Sequence, residues 1–411
     1  MKVVPDESFL NKLDEFYPLL NEEDLKSYAS SFKNELTAAL SNQRSSLPTI
    51  LNPIAKMTPK SGFGVAVAVG GTNGYVSAFY LKDTSEIKFM SRQIFTIPKK
   101  TTQTDLFHLI TKNILFVTKN RKEPFPIGIG LAYPLKPLLT GNFIDGELLY
   151  MTKDRIIEGL VGKRVGQEYH KFLKKEYGID TTVAVANDAI CLLLGGGKVE
   201  IAGVVGTGLN FAYWDRRSQV APLKLSQLAG FVQNEVAVNI ESKNFDKIKG
   251  TKYRDVLDKA SSDPGYSLSE KEVAGAYLYK LFNSARKDLI KEKFPDLEST
   301  DELNDILTHA FPYPKSLSKV SKTNIRLLAN RIFHKSAQIV AIQLCGICQK
   351  IGKTEGLVPV VMEGGIFWKA KNYPALVNLY VNMILPKTLP SFARLFGSSR
   401  RGIAILAKTI Y

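Results

Sequence analysis

The 411-residue chain has only three cysteines and four histidines. Three cysteines cannot build a disulfide framework, so a reducing compartment, most simply the cytoplasm, is expected. His108, His170, His309 and His334 stand far apart, so neither a nucleophile triad nor a metal cluster assembles from them in sequence. Long apolar runs are missing as well: no stretch of eighteen apolar residues is free of charge, which excludes a transmembrane span. The opening Met1-Lys2-Val3-Val4-Pro5-Asp6 lacks the apolar core of a signal peptide. Low-complexity tracts and short-period repeats are absent.

What is present is an ordinary globular composition, 45% hydrophobic and 23% charged, with enough apolar surface to offset chain entropy. The length fits two or three domains and leaves room for a cleft. The outlier is a net charge of +16. It suits a polyanion such as nucleic acid, or a smaller anion such as a nucleotide triphosphate. The basic residues form short groups (Lys119/Arg121/Lys122, Arg216/Arg217, Lys315/Lys319/Lys322, Arg400/Arg401), the pattern of a solvated surface, and no nucleic-acid-binding signature accompanies them.

Hydrophobic periodicity predicts helices through the first 45 residues, where Leu10, Leu13, Phe16 and Leu19/Leu20 precede Leu25, Phe32, Leu36 and Leu40. After a break from Ser45 to Gly62 the period changes. Val65–Val69 reads as a buried strand, Gly70-Gly71-Thr72-Asn73-Gly74 as a turn, Tyr75–Tyr80 as a second strand and Ile87–Ile97 as a third. A helix over Thr104–Val117, a strand over Ile127–Tyr133, a helix over Gly162–Tyr177 and a strand over Thr182–Ala186 follow, an α/β order. The pattern then restarts: strand Ile201–Val205, turn Gly206-Thr207-Gly208, strand Leu209–Trp214. The rest is mostly helical from Lys252 to Lys353, then a strand at Leu357–Met362, the turn Glu363-Gly364-Gly365 and a terminal helix from Arg400.

Both glycine turns follow a buried strand. Glycine allows close backbone approach, and consecutive turn amides form a concavity suited to phosphate oxygens. Neither turn is a Walker A loop or a dinucleotide fingerprint, and either alone is also a plain hairpin. Asp188, after Asn187 at a strand end, is either a helix N-cap or a general base for a substrate hydroxyl. Lys153, beside Thr152 in a loop, is either surface or a point charge near a phosphate. Cys345-Gly346-Ile347-Cys348 sits in an apolar helical run over Ala329–Ile351 and reads as core.

The ordered set of these segments resembles the eukaryotic hexokinase and glucokinase type within the actin-like sugar kinases. Val67–Asn73 is similar to that family's first phosphate motif, although Ala68 stands where the family has an aspartate. Leu149–Lys153 resembles the sugar loop, Val185–Asp188 the strand end with the catalytic aspartate, and Gly206–Asn210 the second phosphate motif. Val238–Glu241 and Pro264–Lys271 resemble two further sugar-binding segments. Glu363–Phe367 resembles the adenosine motif, and Gly397-Ser398 with Gly402–Ala404 its C-terminal partner. The order holds over roughly residues 5 to 410.

The resemblance implies a ribonuclease-H-like, actin-like ATPase fold of two α/β domains with a cleft between them. Residues 58–188 with the C-terminal helix 400–411 would form the small domain; residues 1–57 and 189–396 would form the large one. It implies phosphorylation of a hexose, glucose first, at the 6-hydroxyl, with Asp188 as base and Lys153 stabilising charge. The sugar pocket would comprise Thr152, Lys153, Asn187, Asp188, Asn210, Glu241 and Glu270. The nucleotide site would comprise Gly70, Gly71, Thr72, Asn73, Gly206, Thr207, Gly208, Glu363, Gly364, Gly365, Gly397 and Ser398. ATP would carry Mg²⁺ mainly on its own oxygens and water, without protein metal ligands. Besides Ala68, Tyr75 stands in place of an arginine, Ala132 of a serine and Glu363 of an aspartate. Phosphate-side residues are eroded and sugar-side ones largely kept. A non-catalytic or weakly active sugar-binding protein is therefore the alternative.

Overall fold

The computed structural model describes residues 7–54, 59–82, 86–121, 123–140, 142–151, 155–228, 233–394 and 397–409. The chain opens with helices α1 (Glu7–Phe16) and α2 (Glu22–Leu40), the second capped by the Asn21 side chain accepting from the Asp24 amide. Strands β1 (Ile50–Asn52), β2 (Gly62–Val69), β3 (Asn73–Leu81) and β4 (Ile87–Thr96) follow, then β5 (Lys100–Thr102) and helix α3 (Gln103–Thr118). Next come β6 (Ile127–Leu131), the hairpin β7 (Leu135–Thr140) and β8 (Phe143–Leu148), β9 (Ile156–Glu158), α4 (Val165–Tyr177), β10 (Val183–Asn187) and α5 (Asp188–Gly195).

The second half starts with β11 (Ile201–Val205) and β12 (Leu209–Arg216), then α6 (Pro222–Leu225) and β13 (Glu235–Asn239). Helices α7 (Lys252–Lys259), α8 (Leu268–Val273), α9 (Leu278–Leu289), α10 (Thr300–Thr308) and the long α11 (Lys319–Lys350) precede β14 (Gly356–Glu363). The chain closes with α12 (Gly365–Lys369), α13 (Tyr373–Ile384), β15 (Thr388–Ala393) and α14 (Ser398–Lys408).

Two mixed sheets organise these elements. One runs β10-β6-β2-β3-β4 and the other β1-β13-β12-β11-β14-β15. Each contains an antiparallel hairpin built on a glycine turn, β2–β3 and β11–β12, and each hairpin's first strand is paired in parallel with a later one. The outer face of the six-stranded sheet carries the largest core, where α2, α11 and the helices between them bury Leu25, Phe32, Phe211, Tyr213 and Leu344. The outer face of the five-stranded sheet packs on α3 and α4 through Ile110, Ile114, Tyr169 and Leu173.

Between the sheets lie α5 and α14. A third cluster joins Ala66 and Ala186 of one sheet, Ala202 and Val361 of the other, and Ile190, Leu193, Ile403 and Leu406 of these two helices. The small residues are a steric requirement. A Cβ on Gly402 would lie 1.6 Å from the Cys191 carbonyl oxygen, and one on Gly128 would lie 2.3 Å from the Ile403 carbonyl oxygen. No helix among the described residues is long and apolar enough to cross a membrane.

Several boundaries differ from the sequence expectation. The strand expected over Ile127–Tyr133 ends at Leu131, freeing Ala132 and Tyr133 for the site. Helix α4 begins at Val165 rather than Gly162, because Asp145 of β8 caps it from outside, accepting from the Gly166 and Gln167 amides at 2.7 and 2.9 Å. Helix α11 begins ten residues before Ala329. Cys345 and Cys348 are buried within it, and burial pushes the Cys348 thiol up to about 12.

Candidate active site

Register brings the first site residues together. In the parallel trio β2, β6 and β10, Val69 pairs with Leu131, and Leu131 with Asn187. The glycine turn after Val69, the segment after Leu131 and Asp188 therefore leave the sheet along one edge. The turn and Asp188 are two inter-strand spacings apart, about 10 Å, which leaves room for a substrate between them.

Asn187 and Asp188 divide the roles proposed for the carboxylate alone. The helix cap is Asn187, whose Oδ1 accepts from the Ala189 amide at 3.0 Å while its Nδ2 donates to the Tyr133 carbonyl at 3.2 Å. Asp188 is the first helical residue; its Oδ1 accepts from the same amide at 2.8 Å, where the helix dipole favours an anion. The N-cap reading thus transfers to Asn187, and the side chain of Asp188 faces a pocket.

That pocket is lined by Ala132, Tyr133, Pro134, Asn187 and Asp188 on one side, and by Gly208, Leu209, Asn210, Glu241, Lys243 and Glu270 on the other. The second set follows from the other sheet. Asn210 is the second residue of β12, and its Nδ2 donates to Asn239 Oδ1 at 2.7 Å. Asn239 Nδ2 donates in turn to Glu241 Oε1 at 2.9 Å. Glu241 sits just past β13 with a left-handed backbone, φ 54°. Glu270, on α8, accepts from the Leu209 amide at 2.9 Å and so ties that helix to the glycine turn. Asn187, Asp188, Asn210, Glu241 and Glu270 therefore share one pocket. Thr152 and Lys153 lie outside the described residues.

The glycine segments form two further groups. In the first turn the Gly70 amide donates to the Asn73 carbonyl at 3.1 Å, leaving Thr72 and Asn73 exposed at the rim beside Gly71. In the second, the Gly206 amide donates to the Gly208 carbonyl at 3.0 Å and Thr207 is exposed. A Cβ on Gly206 would stand 3.0 Å from Gly364 Cα, and one on Gly364, φ +117°, would stand 2.1 Å from the Val205 carbonyl oxygen. The ends of β11 and β14 thus touch backbone to backbone, while a Cβ on Gly365 would meet nothing. This bare backbone cradle fits a nucleotide. Glu363 is different: both carboxylate oxygens accept from Ser399, from its amide at 3.0 Å and its hydroxyl, so the side chain is spent capping α14 behind Gly397 and Ser398.

The eroded positions are also accounted for. Ala68 and Tyr75 are direct cross-strand partners, so their side chains share a face and the small alanine accommodates the ring. The ring lies 5.2 Å from the Arg92 guanidinium. Burial first, and then the Glu363 charge, push the Tyr75 phenol upward.

Three residues escaped the sequence reading. Arg155 donates to the Thr72 hydroxyl at 3.2 Å and to the Ile97 carbonyl at 2.8 Å, placing a guanidinium at the first glycine turn. Tyr133 is 1% exposed, and its hydroxyl has no hydrogen-bond partner among the described residues although it lines the pocket. Lys243 is 4% exposed with Nζ 3.3 Å from Glu241 Oε2. The signal for Lys243 was a charged residue two positions beyond Glu241. Arg155 and Tyr133 carry no local signal. Among the described residues no group of three or more His, Cys, Asp or Glu side chains is arranged to hold a metal.

Two sheets sandwiching a pair of helices, with glycine hairpins facing a polar cleft, define the two-domain α/β fold of the actin-like ATPases. Solved structures agree: a Schistosoma mansoni hexokinase complexed with glucose superposes with a TM-score of 0.84 at 20% identity, covering 98% of this chain and all of that one. A second hexokinase crystal structure gives a TM-score of 0.77 at 18% identity over 98% of this chain. Hexokinase family profiles match residues 14–197 and 200–409, and the chain belongs to the hexokinase family, enzymes that phosphorylate sugars with ATP and Mg²⁺. Among relatives, it is 26% identical to a hexokinase of Emericella nidulans over 85% of this chain and 79% of that one, and 27% identical to hexokinase-2 of Solanum tuberosum over 93% and 87%. It spans only 46% of rat hexokinase-3, at 23% identity.

Proposed function

We propose that the chain transfers the γ-phosphoryl group of ATP to the 6-hydroxyl of a hexose, with glucose as the first sugar to test. The observation that carries this reading is the single pocket shared by Asp188, Asn187, Asn210, Glu241 and Glu270, facing the edge from which the first glycine turn departs. Carboxylates and amides at fixed spacing suit a polyol, because each sugar hydroxyl both donates and accepts. A sugar lacking one hydroxyl leaves a buried partner unpaired and is rejected.

Asp188 accepts the proton from the attacking hydroxyl as its oxygen bonds to phosphorus and the bond to the leaving diphosphate breaks. Asn187 holds the backbone that orients this carboxylate. The glycine turns at Gly70–Asn73 and Gly206–Gly208, with the Gly364–Gly365 backbone, receive phosphate oxygens, and Arg155 adds a cation at Thr72. Bound MgATP supplies the activated phosphoryl group and most of the metal's ligands. Lys153 and Thr152 complete the sugar side in this reading. The two domains are residues 58–188 with 400–411, and 1–57 with 189–396, and the working compartment is the cytoplasm.

A second reading, a sugar-binding protein with weak or no transfer, is favoured by one observation: no carboxylate stands at Ala68, and the Tyr75 ring shares its face. A coupled assay of ADP formation with excess ATP, Mg²⁺ and glucose separates the two. Glucose-dependent turnover above the sugar-free blank supports the kinase; binding of glucose without turnover supports the alternative.

A further inference from the structure

Lys243 lines the pocket but has no part in the reaction described above. It belongs to the short helical turn Ser242–Asn244 that follows Glu241. Its side chain is 5% exposed, Nζ lies 3.3 Å from Glu241 Oε2, and the ammonium sits 5.6 Å from the Tyr150 ring centroid. Burial alone pushes such an ammonium toward its neutral form; here the charges of Glu241 and Glu270 outweigh it and hold the group charged.

Hydrogen-bond accounting gives this cation a task. The carboxylates of Asp188, Glu241 and Glu270 only accept. Asn187 Nδ2 is engaged by the Leu131 and Tyr133 carbonyls, and Asn210 Nδ2 by Asn239. Among these described groups the acceptors outnumber the donors, so they accept hydrogen bonds from sugar hydroxyls but, apart from the Tyr133 hydroxyl, offer their oxygens little in return. Lys243 has three N–H donors, and one carboxylate oxygen of Glu241 occupies one of them.

We propose that Lys243 is a sugar-binding, specificity-determining residue whose ammonium donates to a hydroxyl oxygen of the hexose beside Glu241, favouring a hydroxyl over a protonated amine at that ring position. The inference rests on the sugar-kinase reading of the pocket. Lys243→Met keeps the aliphatic stem and removes the donors, and Lys243→Gln provides a second, neutral variant should the first not fold. The test is isothermal titration calorimetry of glucose and its monodeoxy analogues against wild type and variants.

In the wild type, deleting one particular hydroxyl is expected to weaken binding at least tenfold. In Lys243→Met that penalty shrinks to twofold or less while the penalties at other positions persist, and the amino sugar at the same position gains relative to glucose. Equal penalties in variant and wild type at every position overturn the assignment. So does a uniform gain in affinity for all sugars, which would make the lysine an obstruction. Binding without turnover defeats the kinase reading and leaves this test intact; failure of the wild type to bind any sugar overturns the proposal.

Discussion

Lys271 is fully buried at the foot of the site, and its replacement by methionine tests how the Glu270 arm is held. Its ammonium donates to Asp258 Oδ1 at 2.6 Å and to the Asp263 and Tyr266 carbonyls, each at 2.9 Å, with Asp263 Oδ1 at 3.0 Å. Methionine fills the stem's volume but strands two carboxylates and two carbonyls. Breaking a buried pair from one side costs about 3–5 kcal/mol. The Asp263 side chain is 35% exposed and can rehydrate, so the lower end, about 3 kcal/mol, is expected. Burial pushes the Asp258 carboxyl up, but bonds from Lys271 and the Gly265 amide outweigh it and hold the carboxyl below its usual range. A carboxyl lowered in the folded state stabilises above its unfolded value, and that contribution vanishes as pH falls through the folded value. Urea unfolding should therefore show the full loss at pH 7 and a narrower gap below roughly pH 4. Glucose affinity should fall as well, because Glu270 is the neighbouring residue on α8. A loss under about 1 kcal/mol at pH 7, or a gap that widens in acid, would refute this account of the buried lysine.

Arg155→Ala removes the guanidinium at Thr72 and should lower kcat/KM for ATP by roughly tenfold while leaving glucose binding unchanged, with Arg155→Lys partly restoring it; an equal loss of glucose affinity would place the arginine elsewhere in the mechanism. Gly402→Ala forces a Cβ against the Cys191 carbonyl and should destabilise by about 1–3 kcal/mol in thermal unfolding, with reduced turnover because α5 begins at Asp188; wild-type stability would contradict the α5–α14 packing.

The three-strand meander and both glycine hairpins were legible because apolar strands and glycine turns alternate with local regularity. The hairpin of β7 and β8 was not: Lys136 and Pro137 interrupt the pattern, and the pairing of Leu135 with Leu148 is a tertiary choice. The start of α4 was misplaced for a related reason, since its cap comes from Asp145, twenty residues away in sequence. The first ten residues of α11 are mostly polar, and a serine, Ser321, stands in the buried row with Ile325 and Leu328, so apolar periodicity there was weak. In the site, Asn187, Asp188, Asn210, Glu241 and Glu270 were legible through motif order. Their companions Tyr133 and Arg155 were not, because each acquires its role from its place in the fold, which no local pattern records; Lys243 carried only its charge two positions beyond Glu241. Glu363 was legible as a motif residue, yet its side chain serves the helix α14 terminus.

In the proposed reaction Asp188 takes the proton of a hexose hydroxyl in this pocket. The direct measurement is steady-state phosphorylation of glucose by Asp188→Ala, paired with glucose affinity measured by calorimetry on the same preparation. Turnover reduced by at least about a thousandfold is expected, in keeping with loss of a general base, with glucose affinity within a few-fold of wild type. Turnover close to wild type would contradict that role, whatever the affinity.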